Sequence, residues 1–303
     1  MTWSPDDVPD LSGRTVVVTG PTLGGLGWYT SRELARHGAR VVLAGRSMSK
    51  LDAATEAISS EVPAAALEKV TLDLSSLASV REGALRIADL GPLDVLINNA
   101  GVMAVPWATT PDGLDLQLAT NHFGPFLLTG LLLPNLSAGG GRVVTLSSAI
   151  HRIAPRPPLH NPFQRPRLYQ PWMGYAQSKL ANLLFAFELE QRLRAAGSGV
   201  RSLAAHPGIA HTKIVDNGPK LGALNTLGNW GFGLLSQPIE HAVWPTLMAA
   251  TADLPGGTFV GPGRLLGFVG TPHVARAGRR AYDPETRRRL WELSEKTTGI
   301  SYP

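Results

Sequence analysis

From Arg14 onward, short apolar and β-branched runs alternate with longer stretches whose apolar positions recur at helical spacing. The runs Thr15–Thr19, Val41–Leu43, Lys69–Leu72, Val95–Asn98, Arg142–Leu146 and Val200–Ala204 are mostly unbroken by polar alternation. That is the pattern of strands covered on both faces, as in a parallel sheet. Between them Leu26–His37, Ser49–Ser59, Leu77–Asp89, Gly113–Leu133 and Gly174–Ala195 read as helices, and a helix at Ile239–Ala250 precedes a seventh strand near Thr258–Val260. Strand–helix alternation with right-handed crossovers predicts an α/β, doubly wound, mostly parallel seven-stranded sheet with helices on both faces. No internal repeat or low-complexity linker divides the chain, so residues 1–303 read as one domain.

Two stretches break the rhythm. Residues 151–173 hold six prolines and four arginines, and residues 213–238 are rich in Gly and large apolar side chains, including Trp230 and Phe232. Each exceeds an ordinary connection, and long ordered loops in compact domains are often functional. The 44% hydrophobic and 17% charged content supports a core. With no cysteine, disulfide and thiolate chemistry are excluded, which fits the expected cytoplasmic setting. No basic-then-apolar leader starts the chain, and the longest apolar run, Phe126–Leu133, is too short to span a bilayer. The net charge of +5 lies largely in the Arg-rich C-terminal run. Without a nucleic-acid motif, that run reads as a solvated helix face rather than a nucleic-acid site. The eight histidines show no metal-ligand spacing; His206 and His211 lie five apart beside a turn.

The first strand runs through Thr19-Gly20-Pro21-Thr22-Leu23-Gly24-Gly25-Leu26-Gly27 into a helix. Glycines there allow a tight turn and a close approach of backbone N–H groups to a pyrophosphate facing the helix N-terminus. At this point the chain resembles the short-chain dehydrogenase/reductase family, which implies a Rossmann fold. The family turn has three residues between its first glycine and the Gly-x-Gly, whereas four separate Gly20 from Gly25 here. Gly20, Gly25 and Gly27 map onto the family glycines, with Leu26 between them, and Gly24 is placed to let the longer loop bend. The second strand ends Gly45-Arg46-Ser47 without the Asp or Glu that holds the ribose hydroxyls of NAD. A guanidinium can grip a 2′-phosphate through paired hydrogen bonds. Arg46 therefore points to NADP(H), with NAD(H) the alternative. Asp73, followed by Leu74, resembles the family acid at the adenine ring and equally fits a helix cap.

Tyr175 and Lys179 lie four apart, on one face of a helix. A free phenol titrates near about pH 10, and a neighbouring cation lowers that value by favouring the phenolate. Lys179 is thus expected to pull Tyr175 down. The fifth strand ends in Ser147-Ser148, at the carboxyl edge where such sheets bind ligands. By resemblance Ser148, which precedes a small residue, holds the substrate oxygen; Ser147 is the alternative. The resemblance also implies that Asn99-Ala100-Gly101 stabilises the central sheet beside the cofactor. Asn121 would anchor a proton-relay water near Lys179, and Pro207-Gly208 with Thr212 would meet the nicotinamide amide. The interval of 27 positions from Ser148 to Tyr175 contains the proline-rich insertion. Longer insertions there, and the run Asp283–Trp291, are similar to retinol-dehydrogenase-like and protochlorophyllide-reductase-like members.

The implied reaction moves a hydride between nicotinamide and a carbonyl or alcohol carbon, and the apolar 213–238 segment implies a lipophilic small molecule. A non-catalytic NADP(H)-binding regulator is the alternative, and an enzyme held at a membrane by its apolar lid is a third reading. The family commonly pairs subunits through the two long helices, which implies a homodimer or homotetramer.

Overall fold

The computed structural model describes residues 3–136, 140–209 and 237–302. Its strands are β1 (Thr15–Thr19), β2 (Arg40–Gly45), β3 (Ala66–Thr71), β4 (Val95–Asn98), β5 (Arg142–Leu146), β6 (Arg201–Ala205), β7 (Phe259–Arg264) and β8 (Val269–Val274). They form one sheet in the order β3-β2-β1-β4-β5-β6-β7-β8. The first seven pair in parallel. The helices are α1 (Leu26–Arg36), α2 (Met48–Glu61), α3 (Leu77–Ala88), α4 (Leu116–Leu118), α5 (Gly124–Leu132), α6 (Pro171–Ala195), α7 (Ile239–Ala242), α8 (Trp244–Thr251) and α9 (Pro284–Thr298).

Strand pleating assigns the core residues. Val16 and Val18 face α1 and α8 with Leu34, Val41 and Leu247. Val17 points the other way, into a cluster with Leu96, Phe126, Phe185 and Trp291 from α5, α6 and α9. Every β1 side chain is buried, and full burial of each valine stabilises by roughly 1.5–3 kcal/mol. Helices cover both faces, as expected. The strand order reverses between β1 and β4, which opens a crevice at their carboxyl ends.

The sheet has eight strands rather than seven. The added β8 pairs antiparallel with β7, Val260 opposite Val274 and Pro262 opposite Pro272. Its sequence, Val-Gly-Thr-Pro-His-Val, reads as a loop because proline cannot donate to an inner ladder, but an edge strand tolerates it. The predicted helix over Gly113–Leu133 is also broken. After α4 comes a π turn, Ala119–Phe123, closed by the Gly124 N–H on the Ala119 carbonyl. Pro125 has no N–H to offer the Asn121 carbonyl four residues back. Gly124 lies so close to the Leu74 carbonyl that a Cβ would collide with it.

The C-terminal run folds back over the two long helices. Trp291 of α9 stacks on Phe185 at 6.0 Å and meets Phe126 edge-on at 5.0 Å. The Tyr302 hydroxyl donates to the Phe126 carbonyl at 2.6 Å. Ile300 and Tyr302 fill the space beside Gly130.

Candidate active site

The carboxyl edge of the sheet gathers most of the predicted residues. Gly20 and Gly24 adopt left-handed backbone, φ +70° and +74°. The extra loop residue is taken up in a turn closed by the Gly25 N–H on the Thr22 carbonyl at 2.8 Å. Gly25 then caps α1 in extended conformation, and Leu26 opens the helix. A Cβ on Gly27 would lie 2.5 Å from Asn99 Nδ2 and 2.6 Å from the Gly20 carbonyl oxygen, and one on Gly20 would lie 2.9 Å from Ala100. Asn99 Nδ2 donates to the Thr19 carbonyl at 2.7 Å, and the Asn99 and Ala100 N–H groups both donate to Thr19 Oγ1 at 3.0 Å. The glycine turn is therefore strapped to the end of β4, which leaves a backbone-lined cradle at the α1 N-terminus that fits a pyrophosphate.

Arg46 follows β2, exposed and without a charged partner among the described residues. Asp73 is not the helix cap. Its Oδ1 accepts from the Ser75 N–H and hydroxyl, at 2.9 and 2.7 Å, while Ser76 caps α3.

The two serines separate cleanly. Ser147 turns into α6 and donates to the Lys179 carbonyl at 2.8 Å. Ser148 opens the short turn Ala149–Ile153, where its hydroxyl accepts from the Ile150 N–H at 3.4 Å, and it faces the Tyr175 phenol closely enough to favour the phenolate. Lys179 sits with Nζ 5.7 Å from the Tyr175 ring centre and donates to the Leu146 carbonyl at 3.2 Å. The expected direction for Tyr175 is reversed: burial pushes it up to about 12, against a smaller lowering by Ser148. Lys179 is itself stripped of water and pushed down to about 8. Desolvation penalises both charged forms, and here it outweighs the attraction between them.

Asn121 is held in the π turn. Its Oδ1 accepts from the Val102 N–H at 2.8 Å, and its Nδ2 donates to the Val102 carbonyl at 2.9 Å and to Ser178 Oγ at 2.8 Å. Both amide protons are therefore committed. A Cβ on Gly101 would lie 3.0 Å from Asn121 Oδ1 and 3.4 Å from Lys179 Nζ, so this glycine lets the two groups share one wall. Pro207 and Gly208 leave β6 with Gly208 at φ +74°. Gln237 ties them down by donating to the Pro207 carbonyl at 3.0 Å and accepting from the Gly270 N–H at 2.9 Å. Thr212 and residues 213–236 of the expected lid lie outside the described residues.

Thr19, Ser178 and Gln237 escaped the sequence reading. Ser178 had a signal, since it lies within the Tyr175–Lys179 interval one residue before the lysine. Gln237 had none, because its partners come from distant loops. The insertion at 151–173 reaches Tyr175 through Trp172, whose ring meets it edge-on at 6.4 Å. With Asp115 and Leu118 it encloses a cavity of about 220 Å³. That cavity is bordered by Gln170, the N-cap of α6, and on α6 by Met173, Gly174 and Gln177, on the helical face opposite Tyr175. Among the described residues no cluster of His, Asp or Glu is placed to hold a metal ion, and no helix is long and apolar enough to cross a membrane.

Residues 14–157 match the family model for short chain dehydrogenase. Human retinol dehydrogenase 13 is 39% identical over 97% of this chain and 87% of its own length. The polyprenol dehydrogenase of Mus musculus is 38% identical over 98% and 87%. The crystal structure of an uncharacterized protein from Mycobacterium paratuberculosis superposes with a TM-score of 0.83 at 43% identity, covering all of both chains. With the glycine turn, the Tyr175–Lys179 pair and the sheet order in place, the chain belongs to the short-chain dehydrogenase/reductase oxidoreductases, in their retinol-dehydrogenase-like branch.

Proposed function

We propose that this chain is an NADP(H)-dependent oxidoreductase that interconverts a lipophilic alcohol and its aldehyde or ketone, with Tyr175 as the proton donor or acceptor. The observation that carries this reading is the convergence of Ser148, Tyr175, Lys179 and Asn121 at the carboxyl edge of the sheet, beside the end of β5. The names of the retinol and polyprenol dehydrogenases among the relatives support a long apolar alcohol. The cradle from Gly20 to Gly27, with Asp73, Leu74, Asn99, Ala100, Gly101, Pro207 and Gly208 along the same edge, fits a dinucleotide. Arg46, without an acid partner among the described residues, favours one with a 2′-phosphate. When bound, nicotinamide supplies or accepts the hydride.

The protein's share is position and proton control. Ser148 holds the substrate oxygen against the phenol. Near neutral pH Tyr175 is protonated and can donate to that oxygen in reduction. Lys179 lowers the cost of the phenolate this leaves. Asn121 frames the wall beside Lys179 from which a water would return the proton.

The test is fluorescence titration with NADPH and NADH, followed by turnover of retinaldehyde, a polyprenal and a short aldehyde. Tight, NADPH-selective binding with turnover of the long aldehydes is expected. Tyr175→Phe should then lose about 10²- to 10⁴-fold in kcat and keep its NADPH affinity. Near wild-type turnover in that variant would overturn the assignment. Cofactor binding without turnover of any aldehyde would favour the non-catalytic regulator.

A further inference from the structure

His151, three residues after Ser148, is 2% exposed. The Gly278 N–H donates to its Nε2 at 2.8 Å, which fixes Nε2 as the bare nitrogen. Burial keeps the ring neutral, with its titration pushed down to about 4. Its single ring proton therefore sits on Nδ1, which lies 2.6 Å from the Ser148 carbonyl oxygen. The ring packs edge-on against Phe259 of β7 at 5.8 Å. Two further bonds tie the same turn to the same C-terminal segment: Arg152 Nη2 to the Arg276 carbonyl at 2.7 Å and Arg280 Nη1 to the Ala154 carbonyl at 2.6 Å.

We propose that His151 is the positioning residue of Ser148: it grips the Ser148 carbonyl from Nδ1 and, through Nε2, anchors that turn to Gly278. The proposal rests on the reading of Ser148 as the group that holds the substrate oxygen. Four side-chain bonds converge on the one turn that Ser148 opens: the two from the His151 ring, Arg152 to Arg276 and Arg280 to Ala154. A displacement of about 1 Å at a reacting group costs on the order of 10²-fold in rate, so a brace on this carbonyl has a direct route to turnover.

The test uses the full chain with NADPH and retinaldehyde in single-turnover reactions, beside Ser148→Ala, His151→Ala and His151→Asn. In His151→Asn the amide nitrogen replaces Nδ1, so the grip on Ser148 survives while the Gly278 anchor is lost. His151→Ala should lose about 10- to 100-fold in the hydride-transfer rate, and NADPH affinity should not change. His151→Asn should recover most of that loss although its melting temperature stays low. In the Ser148→Ala background His151→Ala should cost nothing further. Loss in both His151 variants in proportion to melting temperature, or a full additive loss in the double variant, would overturn the proposal. ¹⁵N histidine NMR needs no turnover: an Nδ1-protonated, exchange-protected ring is expected, and an Nε2-protonated ring would refute it. Wild-type rate in Ser148→Ala alone would instead sink the underlying role of Ser148, with the NMR result still deciding the grip.

Discussion

At the scale of single residues, desolvation decides how the proton moves. With Tyr175 raised to about 12, the phenol is the stable form across neutral pH, so it is an acid first. A group with a raised pKa holds its proton below that value and loses it above. Reduction should therefore be nearly flat from pH 6 to 8. Alcohol oxidation needs the phenolate, whose fraction grows about tenfold per pH unit below the pKa, so its rate should climb through the same range while Lys179 still carries charge. Rate profiles in both directions check this, and a flat oxidation limb would exclude Tyr175 as the base. Gly24 offers a second test. Its left-handed backbone makes Gly24→Ala cost about 1–2 kcal/mol, and weaken NADPH because the loop it bends is the cradle; an unchanged affinity would separate that loop from the cofactor. The proposed site residues were legible because several motif matches fall in order along one chain, although each alone is common. The Tyr175–Lys179 pair stood out, and so did the serines after β5. Choosing between Ser147 and Ser148 needed the direction of each side chain, and the sense of the Tyr175 shift needed its burial. A linear sequence holds neither quantity.

Elements were legible where periodicity was strong. β1, β4 and β5 fall on their predicted bounds because unbroken apolar runs flanked by turn residues have one reading. The helix after β4 misled, since its apolar spacing continues smoothly through Gly124 and Pro125. Only the proline's missing N–H and the approach of Gly124 to the β3–α3 loop turn that spacing into a π turn. Buried histidines sit at several such joints: His122 in the π turn, bonded to Ser294 of α9 at 2.8 Å, His151 after β5, and His206 at the end of β6. Burial lowers all three, to about 3, about 4 and about 3. The unfolded chain protonates them near the usual 6.5 while the fold refuses the proton. Their contribution is thus complete above about pH 6.5 and falls as pH drops toward 4, by roughly 1.4 kcal/mol per pH unit for each. Urea midpoints should decline steeply between pH 6.5 and 4.5. A level profile over that range would mean the rings take up protons in the folded chain.

For the whole molecule, much of the apolar surface of the two long helices is covered by the chain itself. Pairing through the two long helices is what the family resemblance implies, and both helices carry much apolar surface. The hydrophobic effect carries no direction, so a sequence cannot say whether such surface meets another subunit or its own chain. Here every residue of α6 from Ser178 to Glu190 is buried within one chain. On α5 the residues Gly124 to Thr129 are buried too, and Ile300 and Tyr302 occupy the place beside Gly130. Stable homodimers commonly bury about 800 Å² per subunit with an apolar centre, and pairing through these helices has to use the residues that this packing leaves exposed. Pairing through the face that α9 covers would require α9 to leave, exposing Trp291, Leu290 and the Phe126–Phe185 cluster to water. Light scattering at micromolar concentration reads the outcome: a monomer if this cover holds, a dimer or tetramer if another face of the helices pairs. Truncation before Ile300 should uncover the Gly130 groove and lower the melting temperature, through loss of the Tyr302 packing and its bond to the Phe126 carbonyl. A dimer of the intact chain that dissociates on substitution of α5 surface residues would show that the C-terminal cover yields to a partner.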